Sequence, residues 1–228
     1  MIVFQKVTKI FPDGTQALHE ASFQIKKGEF VFFIGPSGAG KTTVMKLLRR
    51  EIIPTQGEIL IKDKNLAEIK QKEIPFLRRQ TAMCFQDFKL LGDRTVKENV
   101  ALNLEVEGIK DEEIDKRVHE VLKNVGLEKK GNFFPRQISG GELQRVGIAR
   151  AIVGKPDILL ADEPTGNLDP QAGFDILKLF KEINLAGTTV LVATHNAEVV
   201  NNFEERVITL NKGKVITDTK KGKYKIKI

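Results

Sequence analysis

Cysteine is nearly missing from this sequence, and long apolar runs are missing altogether. One cysteine, Cys84, stands among 228 residues, which excludes an intramolecular disulfide and a multi-cysteine metal site. It follows Ala82 and Met83 in an apolar stretch that reads as a buried strand. No apolar stretch approaches the roughly 18 residues of a membrane-spanning helix, so the chain is expected not to cross a membrane unaided. Lys6 and Lys9 interrupt the apolar start too early for a secretory h-region. Internal repeats, low-complexity tracts and flexible interdomain linkers are also absent. These absences point to a reduced cytoplasmic setting and to a single domain over 1–228.

What is present suffices for a core, since 41% of the residues are hydrophobic, and disorder throughout is excluded. The formal net charge is +7, which by itself speaks only to solubility and non-specific association. Its distribution is more informative: from Lys212 onward, seven lysines face one acid, Asp218. A solvated tail is the simplest reading, a membrane-surface contact the next and nucleic acid the last.

Four short apolar runs each end at a polar residue or a glycine: FVFFI before Gly35, TAMCF before Gln86, ILLA before Asp162 and TVLVAT before His195. Near-continuous apolar strands suit a parallel sheet covered on both faces, and ligands sit outside the carboxyl ends of such strands. Four chemically capable residues at four such ends predict one shared site. The alternating segments IVFQKVTKIF, ASFQIKKG and GEILIKD predict a small antiparallel sheet, with Asp13-Gly14 as a turn. Residues 87–155 read as an inserted helical lobe. There Asp111 serves as a cap, Glu112 and Glu113 fill the first turn, Ile114, Val118, Val121, Leu122 and Val125 share a face, and Gly126 stops the helix. A helix near Phe174 to Ile183 and strands over 207–210 and 214–217 complete the core. The expected fold class is α/β, a mostly parallel core sheet with helices on both faces. Its catalytic core and antiparallel β subdomain comprise 1–86 and 156–228.

The segment GPSGAGKT follows an apolar strand and precedes a helix starting near Thr42, the context that makes a phosphate-loop match meaningful. Its backbone, from Gly35 through Pro36, Ser37, Gly38, Ala39 and Gly40, can wrap phosphates at a helix N-terminus. Lys41 is expected to reach the β and γ phosphates and the Thr42 hydroxyl to face a magnesium ion, with Thr43 closing the nucleotide-binding stretch. In ILLADE, Asp162 is expected to hold magnesium, directly or through water, and Glu163 to polarise an attacking water. Two adjacent carboxylates near a triphosphate are hard to tolerate without a metal, so ATP and Mg2+ are the expected cofactors. Gln86 and His195 can each bond a γ-phosphate, the nucleophilic water or the metal shell. His195 is assigned γ-phosphate sensing because its strand should neighbour the one that leads to Glu163, whereas His19 and His119 read as structural. Finally, ISGGE places Ser139 and the amides of Gly140 and Gly141 at the N-terminus of a helix, a second anion site. A nucleotide in the phosphate loop cannot also need this distant site, so it is expected to cap a γ-phosphate held by another subunit.

In this order, and over essentially the whole chain, these segments resemble the ATP-binding cassette family. The resemblance implies an ABC-type P-loop NTPase fold and competent ATP hydrolysis. It implies Phe11 as the aromatic that stacks on adenine, Gly35 to Thr42 as Walker A and Gln86 as the Q-loop glutamine, near the metal. Further along, it implies Ile138 to Glu142 as the signature contacting nucleotide in trans, Asp162 and Glu163 as Walker B, Asn167, Leu168 and Asp169 as the D-loop, and His195 as the switch histidine. A head-to-tail homodimer around two ATP molecules is implied, as are separate membrane subunits docking beside Gln86 between core and lobe. Isoleucine at 138, glutamate at 142 and phenylalanine at 11 depart from the commoner leucine, glutamine and tyrosine, and none removes a catalytic group. The segment FQDFKLLGDRTVKENVAL is similar to the cell-division branch, whose membrane partner is an FtsX-type permease regulating cell-wall hydrolysis. Asp87, Phe88, Lys89, Leu90 and Leu91 are then candidate partner contacts, and the protein is peripheral at the cytoplasmic face of the membrane. The lipoprotein-release and macrolide-export branches share the LL and ENV elements and form the alternative. No specific nucleic acid is expected, because the chain has neither a coiled-coil insertion nor a second cassette.

Overall fold

The computed structural model describes residues 1–222, apart from the side chains of 197–199. Its larger sheet contains β3 (Phe30–Ile34), β6 (Thr81–Cys84), β7 (Ile158–Asp162) and β8 (Thr189–Thr194), adjacent in the order β3-β8-β7-β6 and all parallel. On the other side of β3, β9 (Arg206–Asn211) pairs in parallel, and β10 (Lys214–Thr219) closes that edge antiparallel. Strands β3 and β8 are buried along their whole length, which is why FVFFI and TVLVAT show no alternation of apolar with polar. Alternation survives in which core each residue enters. Phe32, Ile34, Val190 and Val192 join one hydrophobic cluster, with α6 (Pro170–Leu185) and the helical lobe. Val31, Phe33, Leu191 and Ala193 join the other, with α1 (Lys41–Leu48) and the smaller sheet.

That smaller sheet is antiparallel, in the order β2-β1-β4-β5, from β1 (Ile2–Ile10), β2 (Gln16–Ile25), β4 (Gln56–Ile61) and β5 (Lys64–Asn65). Asp13-Gly14 makes the expected turn, with the Asp13 carboxylate accepting from the Thr15 amide at 2.9 Å. A short α2 (Ile74–Gln80), which sequence periodicity did not reveal, leads into β6.

The helical lobe consists of α3 (Val96–Val106), α4 (Asp111–Asn124) and α5 (Gly140–Ile152). Two expectations need correction here. Helix does not begin at 87: residues 87–95 form a loop, and α3 starts at a capping box between Thr95 and Glu98. Nor does Asp111 cap α4; Lys110 holds the extended cap position and Asp111 is the first helical residue. There its charge, with those of Glu112 and Glu113, faces the positive end of the helix. The lysine-rich tail is partly the exposed edge strand β10, and its one acid, Asp218, takes two bonds from Arg206 at 2.8 and 2.7 Å. Lys223, Lys225 and Lys227 lie outside the described residues. A final short helix, α7 (Ala197–Asn202), follows His195.

Candidate functional site

The phosphate-loop segment joins β3 to α1 and is pressed between the two sheets. A Cβ at Gly35 (φ 152°) would sit 2.2 Å from the Leu210 carbonyl oxygen of β9, and one at Gly40 (φ 106°) would sit 2.6 Å from that of Ala17 in β2. Only glycine lets the chain pass both places. Lys41 is buried, its ammonium donating to the carbonyls of Gly35 (2.9 Å) and Pro36 (3.2 Å) and lying 3.7 Å from Glu163 Oε1. The loop lines a cleft of about 690 Å³ whose other walls are Thr15, Gln16 and Ala17 on one side and Gln86, Glu163 and His195 on the other. Phe11 does not line this cleft. It sits half-buried in the turn leading to Thr15, with the Lys9 ammonium 5.3 Å from its ring centre.

Glu163 and His195 meet because β7 and β8 are neighbours. The Glu163 amide donates to the Ala193 carbonyl at 2.8 Å, holding Glu163 at φ 48°, a conformation that costs a non-glycine residue roughly 1–2 kcal/mol. In that pose its Oε1 lies 2.9 Å from His195 Nδ1, and its Oε2 accepts from the His195 amide at 3.3 Å. The carboxylate is therefore aimed before any substrate arrives. One residue earlier, Asp162 Oδ1 is buried without a hydrogen-bond partner. Burial pushes this carboxyl above its ordinary range and the Glu163 charge adds to the shift; a bond from the Thr42 hydroxyl and the Lys41 charge work against it. A buried carboxylate oxygen without a partner suits a hard cation that takes oxygen ligands. Gln86 lies beside them, its carbonyl 3.4 Å from Asn167 Nδ2, in an adjoining cleft of about 400 Å³ shared with Thr42, Asp162 and Glu163.

The segment expected to form a second anion site stays apart. Ser139 caps α5, accepting from the Glu142 amide at 3.3 Å, while Glu142 Oε2 accepts from the Ser139 amide (2.9 Å) and hydroxyl (3.1 Å). The backbone bond from Ser139 is the main cause that holds the Glu142 carboxyl below its usual range. Lys130 lies 3.5 Å from it. Glu142 thus serves its own helix in this chain. Gly140 and Gly141 face Leu168 and Ala172, placing the start of α5 over the segment Asn167, Leu168 and Asp169, where Asp169 caps α6 through the Ala172 amide at 2.9 Å. None of residues 138–142 lines either phosphate-side cleft.

The remaining candidates, 87–91, form a tightly held loop. Phe88 and Lys89 have positive φ (55° and 49°), and Asp87 pairs with Lys89 at 3.0 Å. Leu90 packs against the core and Leu91 is exposed. Sequence reasoning missed the two side chains that hold this loop, Arg150 and the fully buried Asn99; a lone arginine within the apolar run GIARAIV was the available signal. His19 and His119 make local contacts, with Gln16 and Glu128. A cleft of about 660 Å³ between α4 and the end of α6 contains none of these groups.

Comparison with known proteins agrees with this geometry. Residues 18–166 match the ABC transporter family. The chain is 53% identical over 224 residues to the cell division ATP-binding protein FtsE of Bacillus subtilis, covering 98% of each, and 48% identical over 213 residues to that of Escherichia coli K12, covering 93% of this chain and 96% of the other. It also superposes on the dimeric post-hydrolysis state of the ATP-binding cassette MJ0796 bound to ADP and Pi, with a TM-score of 0.86 and 38% identity, over 98% of this chain and 100% of that one. A phosphate loop, a strand-end carboxylate held by a histidine, and relatives of this closeness together establish that the chain belongs to the ABC transporter family, as an FtsE-like ATP-hydrolysing cassette.

Proposed function

We propose that two copies of this chain close head to tail around two ATP molecules, and that closure drives a separate FtsX-type membrane permease to regulate cell-wall hydrolysis in bacterial division. The observation that carries the dimer is the separation within one chain of Ser139 from the cleft holding Lys41, Glu163 and His195. A helix N-terminus opened by Ser139, Gly140 and Gly141 is built for an anion, and the phosphates held by a second copy supply one. Phe11, in the β1–β2 turn outside the walls of the cleft, is assigned the adenine-stacking role that the family resemblance implies.

Within each site Lys41 neutralises phosphate charge, and the phosphate-loop amides orient the chain of phosphates. Glu163 takes the proton of the attacking water, held to that task by His195 and by its backbone bond to Ala193. Thr42, Asp162 and Gln86 fit magnesium, as the unpartnered Asp162 oxygen indicates; when bound, the ion neutralises phosphate charge. The sequence-derived division into a catalytic core (1–86, 156–228) and a signature lobe (87–155) then separates the two halves of the composite site.

Docking of the membrane partner is supported by a groove of about 410 Å³ between α2, β6 and α3, lined by Arg78, Arg79, Phe85, Leu102, Val106 and Arg150 among others. Phe76 and Val106 expose 55% and 76% of their surface beside it. No helix among the described residues is long and apolar enough to cross a membrane, so attachment at the cytoplasmic face would come through that partner. The test is affinity capture from detergent-solubilised cells of the source, with Glu163→Gln to hold the closed state. A four-span partner found with wall hydrolases or their regulators supports the division role; one with a large periplasmic domain and an outer-membrane or lipoprotein-carrier connection moves the protein to the release or export branch. Lys89→Glu with Leu91→Asp should weaken that co-purification while ATP binding persists, and unchanged capture removes 87–91 from the docking surface.

A further inference from the structure

Helix α5 carries Ser139 at one end and Arg150 near the other, and the Arg150 guanidinium turns toward the loop that follows Gln86. Its Nη1 donates to the Lys89 carbonyl and its Nη2 to the Phe88 carbonyl, each at 2.7 Å. These are two consecutive non-glycine residues at positive φ, a conformation that costs energy and persists where the surroundings enforce it. Two charge-assisted bonds supply that enforcement. Burial pushes the guanidinium below its ordinary pKa, and its charge faces these carbonyls and the Cys84 thiol. Such a group is costly to bury without partners, so the carbonyls are what it is there to hold.

Earlier on the same helix, the fully buried Gln144 donates its Nε2 to Cys84 Sγ at 3.1 Å, two residues before Gln86. Helix α5 therefore grips the chain on both sides of Gln86. Beyond the loop, Asn99 of α3 continues the hold, its Oδ1 accepting from the Leu91 amide at 2.8 Å and its Nδ2 donating to the Leu91 carbonyl at 3.0 Å.

We infer that Arg150 is a positioning residue: by clamping the carbonyls of Phe88 and Lys89 it fixes the Gln86 segment onto α5, so that Gln86 and Ser139 move as one body. What Gln86 senses in its own cleft is thereby delivered to the anion site offered to the second copy. The inference rests on Gln86 acting in the nucleotide site, beside the magnesium it is proposed above to help hold.

The test compares Arg150→Met and Arg150→Lys with the parent, in steady-state ATP hydrolysis and in amide hydrogen exchange of the full chain. Arg150→Met should lower kcat at least tenfold, with KM for ATP within twofold. It should also speed exchange of the amides of 87–91 at least tenfold, leaving β6 and α5 unchanged. Arg150→Lys, which can reach one carbonyl at a time, should fall between. Adding Lys89→Gly to Arg150→Met lets the loop take its shape without being held, and should recover at least a third of the lost kcat. A kcat within twofold of the parent, unchanged exchange at 87–91, or exchange quickened uniformly through α5 and β6 would each overturn the inference. If Arg150→Met does not fold, Arg150→Lys carries the same test at a threefold threshold. Gln86→Ala separates the two claims: unchanged turnover there defeats the role given to Gln86, while exchange at 87–91 still decides whether Arg150 is the clamp.

Discussion

Gly35→Ala and Gly38→Ala, two identical substitutions three residues apart, should have very different consequences. Both glycines have positive φ, 152° and 75°, so alanine incurs backbone strain of roughly 1–2 kcal/mol at either. At Gly38 the added methyl meets nothing within 4 Å; at Gly35 it lands 2.2 Å from the Leu210 carbonyl oxygen and 2.9 Å from Ala39 Cβ. Relief would require about 1 Å of movement between the start of the phosphate loop and β9, and overpacking of this kind costs roughly 1–3 kcal/mol. The backbone nature of the obstacle places Gly35 at the upper end. The totals are about 4 kcal/mol for Gly35→Ala and about 1 kcal/mol for Gly38→Ala. In a chain of this size each kcal/mol lowers Tm by roughly 2–4 °C. Thermal unfolding followed by circular dichroism should therefore show Gly35→Ala melting about 8–16 °C below the parent and Gly38→Ala about 2–4 °C below. Midpoints within 3 °C of each other would refute the claim that the loop is wedged against β9.

Glu163→Gln should keep ATP binding and lose turnover by roughly 10²–10⁴, the usual worth of a general base; single-turnover hydrolysis within tenfold of the parent would take that role from Glu163. Asp162 has its carboxyl pKa raised chiefly by burial, so the folded chain holds this proton more tightly than the unfolded chain. That contribution is complete below the unfolded pKa and lost as pH rises through the folded one, so above it the buried carboxyl destabilises the fold. Asp162→Asn should accordingly melt above the ligand-free parent at pH 7, with the gap closing below about pH 4; a lower Tm at pH 7 would contradict the reading. Ser139→Ala removes the acceptor of the Glu142 amide and should cost about 1 kcal/mol of stability. Its effect on turnover should be larger, at least tenfold, without weakening ATP binding to the isolated chain, as measured by nucleotide titration and phosphate release.

Fold and site were legible to different depths, for physical reasons. A strand buried on both faces must be apolar throughout, so FVFFI and TVLVAT announced themselves, and the polar residue ending each run marked the carboxyl edge where the cleft lies. Gly126 likewise stopped α4, at φ 74°. The loop at 87–95 was not legible, because its shape comes from Arg150 and Asn99, side chains remote in sequence, acting on backbone carbonyls of residues without turn chemistry of their own. The capping shift at Asp111 is a one-residue ambiguity inherent in acid-rich helix starts. At Ser139 and Glu142 the sequence carries two meanings at once: ISGGE resembles the nucleotide-contacting signature, and the same spacing spells a capping box, which the chain forms.

The pairing of β3 has a consequence for how the chain is made. This strand leaves the ribosome early, but both of its sheet neighbours, β8 and β9, come far later; the Gly28 amide that leads into it waits for Thr189 Oγ1, 161 residues downstream. During synthesis the N-terminal antiparallel strands can pair locally, while the phosphate loop hangs from a strand with no partner on either side. Pairings of such long separation close slowly, and an apolar strand left waiting is exposed to aggregation. Nucleotide competence should thus arrive late and all at once, when β9 is out, and a nascent or prematurely terminated chain would carry the phosphate-binding sequence without the means to bind phosphate.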